Sequence, residues 1–176
     1  MPEGFLEPET ISKQLALRDD MTVADFGCGR GYFSIPLAKL VNQGKVYSLD
    51  VMEEALQAVS SQAKLEGISN IETIRGNLEI LKGSKLADQS VDLVLLAKIL
   101  FQSQKKSEIL KEAKRVLKNE GKIVLIDWIA GSSLAPKKGW FISKEQAKQL
   151  VEKEGLTFDK ELKMDSQHYG MVFKKA

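Results

Sequence analysis

Apolar positions along the chain fall into short runs that alternate with longer stretches of helical spacing. Met21–Phe26, Lys45–Leu49, Ile71–Arg75, Val91–Leu96 and Lys122–Trp128 are brief, mostly apolar runs bounded by glycines or polar turns, the pattern of buried strands. Between them, Tyr32–Val41, Met52–Glu66 and Lys105–Leu117 have helical spacing. In the last of these, Ile109, Leu110, Ala113, Val116 and Leu117 share one face. Glu7-Pro8-Glu9 opens a short helix to about Leu17, with proline tolerated in a first turn and acids suited to the positive helix end. Pro36 is close enough to the start of its helix to be accommodated. Gly67 closes the second long helix. Ser143 and Gln146 form a capping box for a helix reaching Glu154, with Gly155 beyond it. Leu156–Leu162 and Tyr169–Phe173 pair around Lys163–His168 as an antiparallel edge. This alternation predicts one doubly wound α/β domain over residues 1–176, a mostly parallel sheet with helices on both faces. Residues 1–20 form a helical N-terminal segment, and 129–142 a loop rich in Gly, Ser and Pro that reads as a substrate lid or as aromatics packing back on the core.

The chain of 176 residues is long enough for one core without disulfide or metal support. At 43% apolar and 28% charged residues, disordered and fibrous classes are excluded. The net charge of +2, from 26 basic and 24 acidic residues, argues against a dedicated nucleic-acid surface. A single cysteine excludes an intrachain disulfide, and with a single histidine no metal site is expected. No apolar run approaches the roughly 20 residues of a membrane span. The N-terminal residues lack a secretory pattern, so the expected location is the cytoplasm. Nothing in the pattern specifies an oligomeric state.

The richest segment is Val23-Ala24-Asp25-Phe26-Gly27-Cys28-Gly29-Arg30-Gly31-Tyr32-Phe33, a strand that runs through three alternating glycines into a helix. Glycine lets a ligand approach the backbone closely. Asp50 ends the second strand, at the sheet edge where an acid accepts hydrogen bonds from ribose hydroxyls. A dinucleotide fingerprint needs a third glycine where this chain has Tyr32. Gly31 comes one residue early, and Asp25 beside the loop suits a cationic cofactor better than an anionic pyrophosphate. An NAD-dependent oxidoreductase is therefore disfavoured.

These residues resemble the first two motifs of the class I S-adenosylmethionine-dependent methyltransferases. Ser90–Leu95, the helix-turn-strand Glu112–Lys122, Ile126-Asp127-Trp128 and His168–Phe173 resemble blocks of a compact UbiE-like subgroup. The resemblance implies a Rossmann-like sheet of seven strands in the order 3-2-1-4-5-7-6, with strand 7 antiparallel, and S-adenosyl-L-methionine as cofactor. Carried over by position, it implies Gly27 and Gly29 under the methionine portion, with Cys28 as a small filler and Gly31 in the same loop. Asp25 would reach the amino group, directly or through water. Asp50 would hold the ribose, with Val51 and Met52 against the adenine and Asn77 near its amino group. Ala97 would offer its carbonyl to the methionine end. The activity implied is in-line methyl transfer to a small-molecule acceptor; a non-catalytic cofactor-binding module or partner subunit is the alternative.

Such transfer needs positioning more than covalent help. Asp127, at the end of the fifth strand, reads as a substrate contact or general base, or as a cap on local backbone. His168 has the pKa of a proton-transfer group, or is a surface turn histidine. Lys98 would orient an anionic substrate, or is simply solvated. Trp140 is the aromatic of the loop expected at the substrate. Lys105-Lys106 and Lys137-Lys138 read as solvated surface. The absent motifs of adenine, glutamine and cytosine C5 methylation, and the single thiol, set macromolecular and arsenite acceptors aside.

Overall fold

The apolar runs become strands in the computed structural model, which describes residues 6–176. In chain order the elements are α1 (Pro8–Lys13), β1 (Thr22–Phe26), α2 (Ser34–Leu40), β2 (Lys45–Asp50), α3 (Glu53–Leu65), β3 (Ile71–Arg75), β4 (Val91–Ala97), α4 (Lys106–Val116), β5 (Leu117–Trp128), α5 (Lys144–Lys153), β6 (Thr157–Glu161) and β7 (His168–Lys174). A single 3₁₀ turn, Leu100–Gln102, lies between β4 and α4. The strands form one sheet in the order β3-β2-β1-β4-β5-β7-β6. The first five pair in parallel, while β7 runs antiparallel to both β5 and β6. This is the predicted Rossmann-like order.

Alternation along the strands supplies two cores. Phe26, Leu96, Leu125 and Phe173 face α4 and α5. Val23, Leu95, Val124 and Val172 face α1 and α2. Central strands are thus apolar on both faces because both faces are covered.

Several boundaries move for local reasons. Helix α1 stops at Lys13 rather than about Leu17, because the amides of Gln14 and Leu15 reach only three residues back and Ala16 turns to φ +50°. Pro36 is the third residue of α2, where no intrahelical donor is missing. Strand β5 begins five residues early at Leu117, which pairs with Val91, whereas Lys122 pairs with Leu93. Lys118–Gly121 therefore loop out between two registers, with Glu120 at φ +66°. The Ser143–Gln146 capping box forms as read, with Gln146 N donating to Ser143 Oγ at 3.1 Å and Ser143 N to Gln146 Oε1 at 2.9 Å.

The long β3–β4 connection is pinned by one buried acid. Glu112 of α4 accepts the amides of Lys82 and Ser84 at 2.8 and 3.2 Å, and the Ser84 hydroxyl at 2.6 Å. Arg115 pairs with Glu112 at 2.6 Å and donates to the Leu86 carbonyl at 2.8 Å. Burial works to raise the Glu112 pKa, but these bonds prevail and hold it down at about 2.

Candidate active site

The chain turns sharply after β1. Gly27 and Gly29 take φ +73° and +53°, a region open to glycine. The amides of Gly27 and Cys28 donate to the Leu49 carbonyl at 2.8 and 2.9 Å, stitching the loop to the end of β2. Asp50 follows. Its Oδ2 accepts the Gly29 amide at 2.9 Å and its Oδ1 the Met52 amide at 3.0 Å. Each oxygen keeps a second acceptor position.

This carboxylate stands on a cleft of about 520 Å³ built from four strand ends. Gly27 and Gly29 come from the β1 loop and Asp50, Val51 and Met52 from the end of β2. Gly76, Asn77, Leu78 and Glu79 follow β3, and Ile99, Gln102 and Ser103 follow β4. Val51 and Met52 leave 51% and 57% of their surface exposed, an apolar wall beside a carboxylate. Asn77 Oδ1 accepts the Glu79 amide at 2.9 Å, and the Ser103 hydroxyl donates to Glu79 Oε1 at 2.5 Å, joining the β3 and β4 loops.

Four residues expected at the ligand do not line this cleft. Asp25 is 2% exposed and accepts the Ser34 hydroxyl at 2.7 Å, which itself accepts that of Ser48 at 2.6 Å. Burial raises the Asp25 pKa to about 6, with the Ser34 bond opposing and the charge of Asp50 adding. Cys28 packs with Leu56 and Val59 of α3, and burial pushes its thiol pKa up, so it is an inert filler. Gly31 gives close packing, since a Cβ there would stand 3.1 Å from Val59 Cγ2. Ala97 is half-buried, paired with Ile126 at the end of β4.

A second group gathers where the ends of β4 and β5 meet the start of β7. Lys98 takes φ +57° and donates its amide to the Ile126 carbonyl at 2.7 Å. Its Nζ lies 5.3 Å from the Trp128 ring centroid, and Trp128 lies 4.2 Å from the His168 ring. Burial lowers the pKa of Lys98, against the charges of Asp127 and Asp165. His168 is 3% exposed, not a surface histidine. Asp127, 2% exposed, caps backbone: it accepts the amides of Phe101 at 3.1 Å and Trp128 at 2.8 Å. Burial raises its pKa to about 6 despite those amides and the charges of Lys106 and Lys98. Lys106 is not solvated surface as expected; it is buried, and its ammonium bonds the Ser103 carbonyl.

The 129–142 loop is fastened to the 3₁₀ turn. Trp140 N donates to the Phe101 carbonyl at 2.7 Å and Phe141 stacks on Phe101 at 5.4 Å, while the Trp140 side chain stays 51% exposed. Glu79, Ser103 and Asp165 escaped the sequence reading, because polar residues in loops carry no periodic signal. Among the described residues no group of His, Cys, Asp or Glu is arranged to hold a metal ion, and no helix is long and apolar enough to cross a membrane.

The family described as methyltransferase domain matches residues 17–175. The chain belongs to this family. It is a class I, UbiE-like member, and S-adenosylmethionine is its cofactor. The chain is 34% identical over 92 residues to a probable cobalt-precorrin-6B C(15)-methyltransferase (decarboxylating) of Methanosarcina mazei, covering 51% of this chain and 50% of that one. It is 30% identical over 166 residues to a demethylmenaquinone methyltransferase of Lactococcus lactis, covering 89% and 65%. A crystal structure of a SAM-dependent methyltransferase from Aquifex aeolicus superposes with a TM-score of 0.86 at 25% identity, over 97% of this chain and 90% of that one. The chain spans about half the length of the first curated relatives it matches.

The cleft fits the cofactor. A carboxylate with free acceptor positions suits a ribose diol, the exposed Val51–Met52 pair suits a flat base, and the glycine-rich loop next to a buried acid suits a cationic end.

Proposed function

We propose that the protein transfers a methyl group from S-adenosylmethionine to a small-molecule acceptor. The observation that carries this reading is the Asp50 carboxylate, fixed by the Gly29 and Met52 amides on the wall of a cleft of cofactor size. The names of the Methanosarcina mazei and Lactococcus lactis relatives, both of which modify small molecules, support the acceptor class.

The cofactor supplies a methyl group already activated by a sulfonium. Asp50 would bind its ribose hydroxyls, Val51 and Met52 would cover the adenine, and Asn77 would serve the adenine amino group. Gly27 and Gly29 would run beneath the methionine portion, and the Ala97 carbonyl, at the end of β4, would be the nearest acceptor to that end. Asp25 favours the cation from beside the loop, while Cys28 and Gly31 shape the loop from behind. On the acceptor side stand Lys98, His168 and the Trp140 loop, which we read as a lid that excludes water. Asp127 serves them indirectly by holding Phe101 and Trp128 in place. A cytoplasmic location, with the Cys28 thiol reduced, belongs to the same proposal.

The test is incubation of cofactor labelled in its methyl group with a small-molecule extract and the protein. Label appears in an extractable product with the wild type and not with Asp50→Ala; transfer by neither, or by both equally, contradicts the reading.

A further inference from the structure

The 129–142 loop holds three large apolar side chains out into solvent. Ile129, Leu134 and Trp140 expose 42%, 45% and 51% of their surface. Apolar residues scattered singly over a surface are ordinary, whereas three gathered in one loop mark a contact face. The backbone beneath them is fixed. The Ile129 amide donates to the Gln167 carbonyl and the Leu134 amide to Gln167 Oε1, both at 2.8 Å. Gly139, just before the amide that Trp140 ties to Phe101, lies so close that a Cβ there would stand 2.7 Å from Phe101 Cδ2. The loop is thus ordered before any partner arrives, which lowers the entropy cost of docking.

The same loop is basic. Lys137 and Lys138 are exposed, and no Asp or Glu occurs between residues 128 and 144. The whole chain is nearly balanced, with 26 basic and 24 acidic residues, so this stretch is a local feature. The acids packed nearby are already engaged: Glu161 pairs with Lys144 at 3.0 Å and Asp165 with the His168 ring at 2.8 Å. Neither Lys137 nor Lys138 makes an ion pair among the described residues.

We propose that this loop docks the protein on the surface of an anionic lipid bilayer, with Ile129, Leu134 and Trp140 entering the headgroup boundary and Lys137 and Lys138 facing the lipid phosphates. Tryptophan favours that boundary, and lysine stems lie along apolar surface while their ammonium groups stay in water. A second copy of this chain fits badly, because a two-fold contact through the loop sets its lysines against their own copies. A protein partner of standard size covers roughly 20–30 residues a side, more than this loop presents. Two lysines and three apolar side chains give a weak, reversible contact that lies on the membrane. Ile129, Phe141 and Ile142 of the loop also wall a cavity of about 650 Å³, so the docked face adjoins that cavity. The inference goes beyond methyl transfer and requires neither cofactor nor acceptor.

The test is co-sedimentation of the protein with extruded vesicles of phosphatidylglycerol and phosphatidylcholine in equal parts, and with phosphatidylcholine alone. Binding to the mixed vesicles is expected, about 30-fold weaker to phosphatidylcholine alone and weakened by added salt. Lys137→Gln together with Lys138→Gln lowers binding to the mixed vesicles by a similar factor, and Trp140→Ala lowers it about tenfold. Tryptophan emission shifts to the blue on the mixed vesicles in the wild type and not in Trp140→Phe. Thermal melts of the variants close to that of the wild type confirm that they fold. No binding to the mixed vesicles, equal binding to phosphatidylcholine alone, or unchanged binding in the double lysine variant overturns the proposal. Self-association of the wild type in gel filtration that Trp140→Ala abolishes would assign the face to a second copy and overturns it as well.

Discussion

The Gly29 amide donates to Asp50 Oδ2 at 2.9 Å across 21 residues of sequence. That bond ties the bend after the first strand to the acid after the second, so loop and carboxylate form one rigid unit. The Asp50 carboxylate is therefore aimed by the glycine loop as well as by its own strand.

Gly27 tests how tightly that unit is built. A Cβ at Gly27 would stand 2.9 Å from Ile99 Cδ1, on a backbone at φ +73°. Gly27→Ala is expected to cost about 1–2 kcal/mol of stability. It also weakens S-adenosylhomocysteine binding, because both residues line the cleft. Adding Ile99→Val removes the crowding methyl and restores part of the affinity but not the backbone strain. Thermal melts and calorimetry separate the two effects.

Asp25 is held at a cost to the fold. Its folded pKa of about 6 lies above the ordinary 3.8, so its stabilising contribution is full below pH 3.8 and is lost as pH rises through 6. The difference corresponds to roughly 3 kcal/mol at pH 8, as an order of magnitude. Asp25→Asn is expected to be more stable than wild type in urea at pH 8, with the gain vanishing near pH 4. Cofactor binding should weaken in the same variant. Asp127 titrates in the same direction in both proteins and cancels from the comparison.

Glu112 has the opposite sign. Its folded pKa of about 2 lies below 4.5, so its contribution is present above pH 4.5 and fades as pH falls toward 2. Glu112→Gln leaves Arg115 and the Ser84 turn without their anion and is expected to cost about 3 kcal/mol at pH 7. The β3–β4 connection it pins carries Asn77 and Glu79. Amide exchange in residues 76–90 should therefore speed up in the variant.

The Trp140 side chain is exposed while its backbone is tied to Phe101. Trp140→Ala should change stability by less than about 0.5 kcal/mol, as surface substitutions do. If the loop is a lid, the KM for the acceptor rises and cofactor affinity does not move. Steady-state kinetics with a saturating and a limiting acceptor checks this.

Much of this arrangement could be read from the residues. The strands, the antiparallel pairing of the last two and the Ser143 cap follow from local period and turn chemistry, which act over a few residues, whereas the strand order is legible only through the family resemblance. Gly27, Gly29, Asp50, Val51, Met52 and Asn77 line the cleft because a doubly wound sheet brings its strand ends to one edge. Asp25 and Gly31 sit in the same motif yet do not line the cleft, since alternation turns Asp25 toward Ser34 and Gly31 packs on Val59. The burial of Lys106 and the pairing of Asp165 with His168 depend on contacts between segments that no period records. The outlooped residues before Lys122 arise from a register shift against β4, which only the paired strands reveal.

Calorimetric titration of S-adenosylhomocysteine into the wild type and Asp50→Ala tests the cofactor assignment most directly. Saturable one-site binding to the wild type is expected, with a loss of about 30- to 100-fold in Asp50→Ala as charge-assisted bonds to the ribose disappear. Absence of heat with the wild type, or equal affinity in the two proteins, would contradict it.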